Sequence, residues 1–480
     1  MKNYLFIISI VLPQFLFSQN CDCVSNFKWV KEIFEENDAG FSYALEVNGV
    51  SAYEDHNSLF VNRLQKVKDQ SECLVILNEW LSFFRSGHLR LRLLNQESDL
   101  ESNLSDTSII DRYKDSPSLD INLNEFENYL RDKEKIDYEG IWISEPYKLG
   151  VKKINHTFIG FVIEADGQYW KKGQIKFEIN SDNSTVYYMR DHSEVKFEAA
   201  ELWGLDHIIF GFVNLRRAVP TSKNNPEIDR YFKSLSSNKP YFEVIDENTT
   251  YLRIPSFGNS EKTKIDSVIQ SNMEIITNKQ NLIIDIRNNG GGSDRSYEKI
   301  LPILYTNPIR KVGMEFLSTE LNNQRMSDFT NNPEHGFNEE EIQYFKESLD
   351  KLSNNIGEFV NLDSTEVEIE TFNTVYNYPE NIGIIINEYC GSTSEQFLLA
   401  ARQSKKVKLF GSTTAGVLDI SNMNFVNSPC NEYQLGYCLS KSMRIPEMVI
   451  DGKGIQPDYY LGKGLKKYQW LEQVTKILND

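Results

Sequence analysis

Residues 387–403, NEYCGSTSEQFLLAARQ, place one thiol and two hydroxyls between the apolar run IGIIIN and the helix-like FLLAA. Ser392-Thr393-Ser394-Glu395 fits the S-x-x-E capping box, which satisfies orphan amides at a helix start. The same position suits catalysis. At a strand-to-helix turn the Thr393 amide lacks an intrahelical partner, so it is free to donate to an oxyanion beside an attacking hydroxyl. Cys390, at the strand end, reads as a buried and inert thiol. Position alone leaves capping and nucleophilic catalysis both open.

A second stretch, NLIIDIRNNGGGSD, occupies residues 281–294. Consecutive glycines after a strand permit backbone conformations that a Cβ forbids, and let amides approach a carbonyl closely. A flexible turn is the plainer reading. A phosphate cradle is disfavoured because neither G-x-x-x-x-G-K-[ST] nor G-x-G-x-x-G spacing is present. The G-x-S-x-G elbow and the H-E-x-x-H zinc pattern are missing too; no metal cluster stands out and no cofactor is expected.

Taken together, strand–DIRNNGGG and, about a hundred residues on, strand–N-x-x-x-G-S-T-S-E–helix resemble the S41 serine peptidases, the group of C-terminal processing and tricorn-type proteases. The resemblance runs over roughly 240–465, includes the closing GIQPD at 454–458, and adds one motif near His88. It implies a crotonase/ClpP-like α/β catalytic domain and a serine endopeptidase acting on protein or peptide substrates through an acyl-enzyme. On that match Ser392 is the nucleophile, and the amides of Thr393 and of Gly291 or Gly292 form the oxyanion hole.

A serine hydroxyl needs a base. The processing branch of the family uses a lysine 25 residues after the serine, where this chain has Val417 in GSTTAGV. Valine accepts no proton, so the match points to the tricorn-like branch and its upstream histidine. His88, in FFRSGHLRLR, resembles that branch's D-G-H-(T/L)-x-L and takes the base role by resemblance. Ser86 and Gly87 stand where the branch has an aspartate and an auxiliary serine. The branch's carboxylate partner of the histidine corresponds to Asp451 in MVIDGKGIQPD, 59 residues after Ser392 and one methylene shorter than the family's glutamate. Asp419 and Glu447 are alternatives, and Asp451-Gly452 also reads as a simple turn.

The elements that must position these groups fall into four segments. Residues 1–19, with a Lys and an apolar run ending in Phe-Ser-Gln, read as a secretory signal peptide. Residues 20–110 read as a helical region carrying His88, with HLRLRLL as a strand and 95–108 as a polar linker. Residues 111–235 read as one helix plus a small antiparallel β-domain, in which Trp142 and Trp170 belong to the core. Residues 236–480 alternate strand and helix, with SYEKILPILYT among the helices and a polar helical insertion at 319–356. The expected PDZ domain of the processing branch is not recognisable.

With 51 Lys+Arg against 69 Asp+Glu in 480 residues, the net charge is −18, which argues against nucleic acid as a partner. An exported chain can use its six cysteines in disulfides. A Cys430–Cys438 bridge would close a hairpin, Cys21 or Cys23 could reach Cys73, and Cys390 would be left over. A lipid anchor at Cys21 is disfavoured by the Ser-Gln-Asn before it. The expected location is periplasmic or secreted. The main rival to the peptidase is an inactive binding or scaffold protein of the same fold for small apolar ligands or peptides; a crotonase-type acyl-transfer enzyme is the weaker rival.

Overall fold

Consecutive apolar residues in a strand need cover on both faces, and the LII of NLIID and the III of NIGIII have it. The computed structural model describes residues 21–67, 69–94, 116–165, 169–221, 225–363 and 365–480; the signal-peptide segment and the 95–108 linker lie outside them. The central sheet runs Tyr241–Val244, Thr249–Arg253, Asn281–Asp285, Asn381–Ile386, Val407–Gly411, Tyr459–Tyr460. Its first pair is antiparallel and the rest are parallel. Alternate residues serve the two faces. Leu252, Ile284, Ile384 and Leu409 pack against Ile265, Ile269, Phe397 and Leu398 of the helices Lys262–Ile276 and Thr393–Ala401. Tyr251, Ile283, Ile385 and Phe410 pack against Trp470, Val474 and Leu478 of the helix Trp470–Asn479. This is the expected α/β architecture of βα units.

One expected helix is shorter. SYEKILPILYT gives only a 3-10 turn, Asp294–Tyr297, and a single α-turn, Leu301–Leu304, because Pro302 supplies no N–H to extend a helix from the N-terminal side.

The N-terminal region is helical as read: Cys23–Asn37, Phe41–Asn48, Val50–Leu64 and Gln70–Leu81. Its strand Arg90–Leu93 pairs antiparallel with Tyr433–Ser442, Leu91 opposite Leu435. Leu91, Tyr433, Leu435 and Tyr437 then share a core with Phe27, Val30, Phe34 and Trp80. That strand carries His88 from a region distant in sequence onto the α/β domain. The Cys21–Cys430 disulfide fastens the same junction, and Cys23–Cys73 ties two of the N-terminal helices to each other. The Cys430–Cys438 bridge does not form, and Cys438 is a free, buried thiol, as is Cys390. The reason is register. Cys438 pairs with Met423 well inside the hairpin, whereas Cys430 sits in the turn beyond Tyr433. Five residues of strand at about 3.3 Å each separate Tyr433 from Cys438, far beyond disulfide reach.

The β-domain is larger than expected, a nine-stranded antiparallel sheet within residues 140–219. Trp142 and Trp170 lie in its core as read. The insertion folds as two helices, Glu320–Asn331 and Glu339–Ser353, capped by Thr319 and Asn338. Thr319 Oγ1 donates to Asn37 Oδ1 at 2.6 Å and Asn322 Nδ2 to Asn37 O at 2.9 Å, tying the insertion to the N-terminal helices.

Candidate active site

Ser392 takes φ 56° and ψ −125°, a conformation a non-glycine residue holds only when its surroundings force it. Several contacts do so. The Ser392 amide donates to Val417 O at 3.1 Å and to Glu395 Oε2 at 3.2 Å. Ser394 Oγ donates to Asn289 O at 2.7 Å, which binds the serine turn to the glycine loop and removes Ser394 from the exposed chemistry. Glu395 is fully buried and also accepts from Thr414 Oγ1 (2.5 Å), Gly416 N (2.8 Å) and Val417 N (2.9 Å). Burial pushes its carboxyl up from the usual range, and these four donors oppose that rise. The glutamate of the S-x-x-E run thus does more than cap; it clamps segment 414–417 onto the serine turn.

The glycine loop lies directly against that turn. A Cβ on Gly291 (φ 104°) would sit 2.8 Å from Ser392 Cβ and 2.9 Å from Thr393 N. A Cβ on Gly292 (φ 145°) would sit 2.3 Å from the Phe257 carbonyl. The Gly291 amide is taken, donating to Asn289 Oδ1 at 3.0 Å. The Gly292 and Thr393 amides have no hydrogen-bond partner among the described residues. Of the two glycines, Gly292 is therefore the one with a donor to offer. Gly292→Ala is expected to push the loop off Phe257, displace that donor and lower kcat by on the order of 10²–10³, with little change in KM, measured by steady-state kinetics.

His88 sits at a turn with φ 52°, just ahead of its strand. Arg85 shapes that turn, its Nε donating to Gly87 O at 3.1 Å and its Nη2 to His88 O at 2.9 Å. The imidazole Nδ1 lies 2.8 Å from Ile420 O. A carbonyl only accepts, so Nδ1 carries the proton and the neutral ring presents Nε2 as a bare acceptor. His88, Ser392, Thr393 and Gly292 all line one cleft of ≈ 650 Å³, whose far wall includes Arg325, Phe329, His335 and Phe337 of the insertion.

Asp451 does not hydrogen-bond to the imidazole. Its Oδ1 accepts from Leu418 N (2.6 Å) and Asp419 N (2.7 Å), and its Oδ2 from Ile420 N (3.2 Å). Thus Asp451 fastens the backbone whose next carbonyl holds His88, and its charge acts on the ring through space. Asp419 returns the clasp, its Oδ2 accepting from Asp451 N (2.9 Å) and Ile450 N (2.6 Å). Its Oδ1 is taken by Arg444 Nε at 2.9 Å, and Glu447 is exposed; neither alternative hydrogen-bonds to the imidazole among the described residues.

Val417 explains two departures at once. A Cβ on Gly87 would lie 2.2 Å from Val417 Cγ1, and a Cβ on Gly391 would lie 2.7 Å from its Cγ2. The valine fills the space between two glycines, leaving no room at position 87 for a serine. Asn289, Arg85 and the Ile420 carbonyl went unnoticed in the sequence. Asn289 stands there as the second asparagine of DIRNNGGG and Arg85 as the arginine of FFRSGH, neither with a role read; a carbonyl has no residue signature at all.

Residues 248–461 match the family described as peptidase family S41. None of the curated proteins matches the sequence. Among solved structures, mature CPAF aligns with a TM-score of 0.52 at 12% identity, over 95% of this chain and 96% of that one. CPAF complexed with lactacystin aligns at 0.52 and 13%, over 95% and 97%. A putative peptidase from Parabacteroides merdae ATCC 43184 aligns at 0.45 and 12%, over 96% and 98%. At such identities the likeness to CPAF is one of fold. The serine turn, the glycine loop and GIQPD all fall inside the segment that matches peptidase family S41.

Proposed function

We propose that the protein is an exported serine endopeptidase of the His-dependent branch of S41, hydrolysing peptide bonds through an acyl-enzyme on Ser392. The observation that carries this is the single cleft shared by Ser392, the bare Nε2 side of His88 and the two unpartnered amides of Gly292 and Thr393. Ser392 Oγ attacks the scissile carbonyl and passes its proton to His88 Nε2. The carbonyl oxygen, now an anion, is received by the Gly292 and Thr393 amides. As the C–N bond breaks, the imidazolium returns the proton to the leaving amine. Water then repeats the sequence on the ester, releasing the acid product and restoring Ser392. Asp451 is a positioning residue: it steadies Ile420, and its charge favours the imidazolium.

His88 works as the base only when unprotonated. Burial lowers its pKa from the usual 6.5; the Ile420 bond and the Asp451 charge oppose that fall, and the Arg85 cation adds to it. Activity therefore rises with pH through a midpoint below 6.5, and a kcat/KM–pH profile checks this. Asp451→Asn removes the opposing charge, so its acid limb is expected to move lower still while kcat falls. A rise in that midpoint would remove Asp451 from the electrostatics of the base.

Export is supported by the two disulfides, which suit an oxidising compartment, and by the pairing of Cys21, which leaves its thiol unavailable for lipid attachment. No helix among the described residues is long and apolar enough to cross a membrane. The direct test is labelling of the folded protein, without its first 19 residues, by a fluorophosphonate probe. Wild type is expected to label across about pH 6–9, and Ser392→Ala not at all. A folded wild type that never labels would sink the peptidase reading and leave the scaffold reading in its place.

A further inference from the structure

Away from the cleft, the β-domain presents three metal-ligating side chains to one point. Asp206 and His207 lie at the turn between the strands Glu201–Trp203 and His207–Phe210, and Asp229 lies in the first turn of the helix Pro226–Ser236. One ligand atom from each lies within 4.8 Å of the other two. Proximity alone would mean little. What points to a ligand is that Asp206 and His207 are each only 3% exposed, yet both Asp206 carboxylate oxygens and His207 Nε2 lack any hydrogen-bond partner. A buried carboxylate with neither oxygen paired is costly, and an imidazole nitrogen beside it is equally unsatisfied.

Neighbouring groups do not relieve this. His207 Nε2 is 3.9 Å from Asp206 Oδ2, too far for a hydrogen bond. Arg217 feels the Asp206 charge, but its guanidinium donates to the carbonyls of Leu205 (2.5 Å), Glu139 (2.7 Å) and Asp137 (2.5 Å) instead. The imidazole is also prepared for a metal. Its Nδ1 is 2.9 Å from Asn214 Oδ1, which fixes the proton on Nδ1 and leaves Nε2 as a lone pair facing Asp206. Its ring stacks on Phe232 with centroids 4.6 Å apart, which holds its plane. An outer carbonyl partner on the far nitrogen is how ligating histidines are commonly oriented.

We propose that Asp206, His207 and Asp229 bind one divalent transition-metal ion, zinc in preference to calcium or magnesium. One imidazole with two carboxylates is a borderline donor set, which suits zinc or manganese better than the hard, all-oxygen cations. A tetrahedral zinc site has donor separations of roughly 3.4 Å, so the side chains close by up to about 1.4 Å on binding. Water completes the shell. The ion links the β-domain turn to a helix whose Ser234 carbonyl accepts from the buried Arg253 Nε of the central sheet at 2.9 Å. Its role is to clamp the β-domain to the α/β domain; no step of peptide hydrolysis passes through it.

The test uses the tag-free full-length mature protein, stripped with chelator and titrated with Zn²⁺, Co²⁺ or Ca²⁺ alone. One Zn²⁺ per chain, a raised Tm and the visible absorption of four-coordinate Co²⁺ are expected, with Ca²⁺ at least about 10²-fold weaker. His207→Gln and Asp206→Asn should abolish stoichiometric binding. Asn214→Leu leaves the ligands in place and should weaken binding by about 10–100-fold. A folded wild type that binds no stoichiometric Zn²⁺ overturns the proposal, as does binding that His207→Gln or Asn214→Leu leaves unchanged. The Co²⁺ spectrum of wild type decides the matter even if the ligand variants fail to fold. Fluorophosphonate labelling of Ser392 is independent of every one of these outcomes.

Discussion

His88→Ala is expected to lower kcat/KM by on the order of 10⁶, Ser392→Ala by a similar factor, and the double variant by no more than either alone. The reason is that the two side chains act as one device in the proposed mechanism. Without a base the hydroxyl is barely nucleophilic near neutral pH, and without the hydroxyl the base has nothing to activate. What survives in all three variants is the Gly292–Thr393 pair of amides and the cleft, which alone give a residual acceleration of about 10³–10⁴ over water. The geometry supplies no substitute base. Position 417 is a valine wedged against Gly87 and Gly391, Asp451 is consumed by three backbone amides, and Glu395 is buried beneath the turn with four donors. The measurement is kcat/KM on a fluorogenic peptide chosen from a peptide-library digest, with circular dichroism to show each variant folded. Losses that multiply in the double variant, or a His88→Ala loss under about tenfold, would place the base elsewhere.

Much of the site was legible because its parts leave residue-type traces. Two of the three glycines after the buried strand, Gly291 and Gly292, are needed because a Cβ there would strike Ser392 and Phe257, so the motif is visible in the sequence within GGG. The serine turn carries its glutamate at the capping spacing, and that glutamate also ties down segment 414–417. The parallel sheet was readable because NLIID and NIGIII each carry an unbroken apolar run, LII and III. The parts that escaped notice are those that depend on register or on backbone atoms. Cys430 reaches Cys21 rather than Cys438 because the hairpin places Cys438 opposite Met423, and no spacing rule encodes that. Likewise the carboxylate partner expected for His88 proved to be a carbonyl, that of Ile420, with Asp451 one step behind. Asp206 and His207 drew no attention because Asp229, their third member, lies on a different element and follows no ligand spacing.

Arg85→Met is expected to cost about 3–5 kcal/mol of folding stability, the range for removing one partner of a buried ion pair. Arg85 grips Asp38 with both ends of its fork at 2.6 Å, and the Asp38 side chain has no exposed surface. Asp38 also receives the amides of Gly40 and Cys438, each at 2.9 Å, so it joins the N-terminal helices to the strand of the α/β domain. Burial works to lower the guanidinium pKa, but the Asp38 charge holds it above its already high ordinary value, so Arg85 stays charged over the whole working pH range. Methionine fills similar volume but leaves that carboxylate without its countercharge. Adding Asp38→Asn should recover at least half of the loss, since the buried charge is then gone as well. Activity should not recover with it. The carbonyls of Gly87 and His88 still lack the Arg85 donors that hold the positive-φ turn, so kcat stays low while the urea midpoint rises. If the double variant regains both stability and activity, the turn holds His88 without Arg85, and the arginine serves the fold alone. If Arg85→Met costs less than about 1 kcal/mol, the pair behaves as a solvated surface bridge, and the N-terminal region is not locked to the catalytic domain through it.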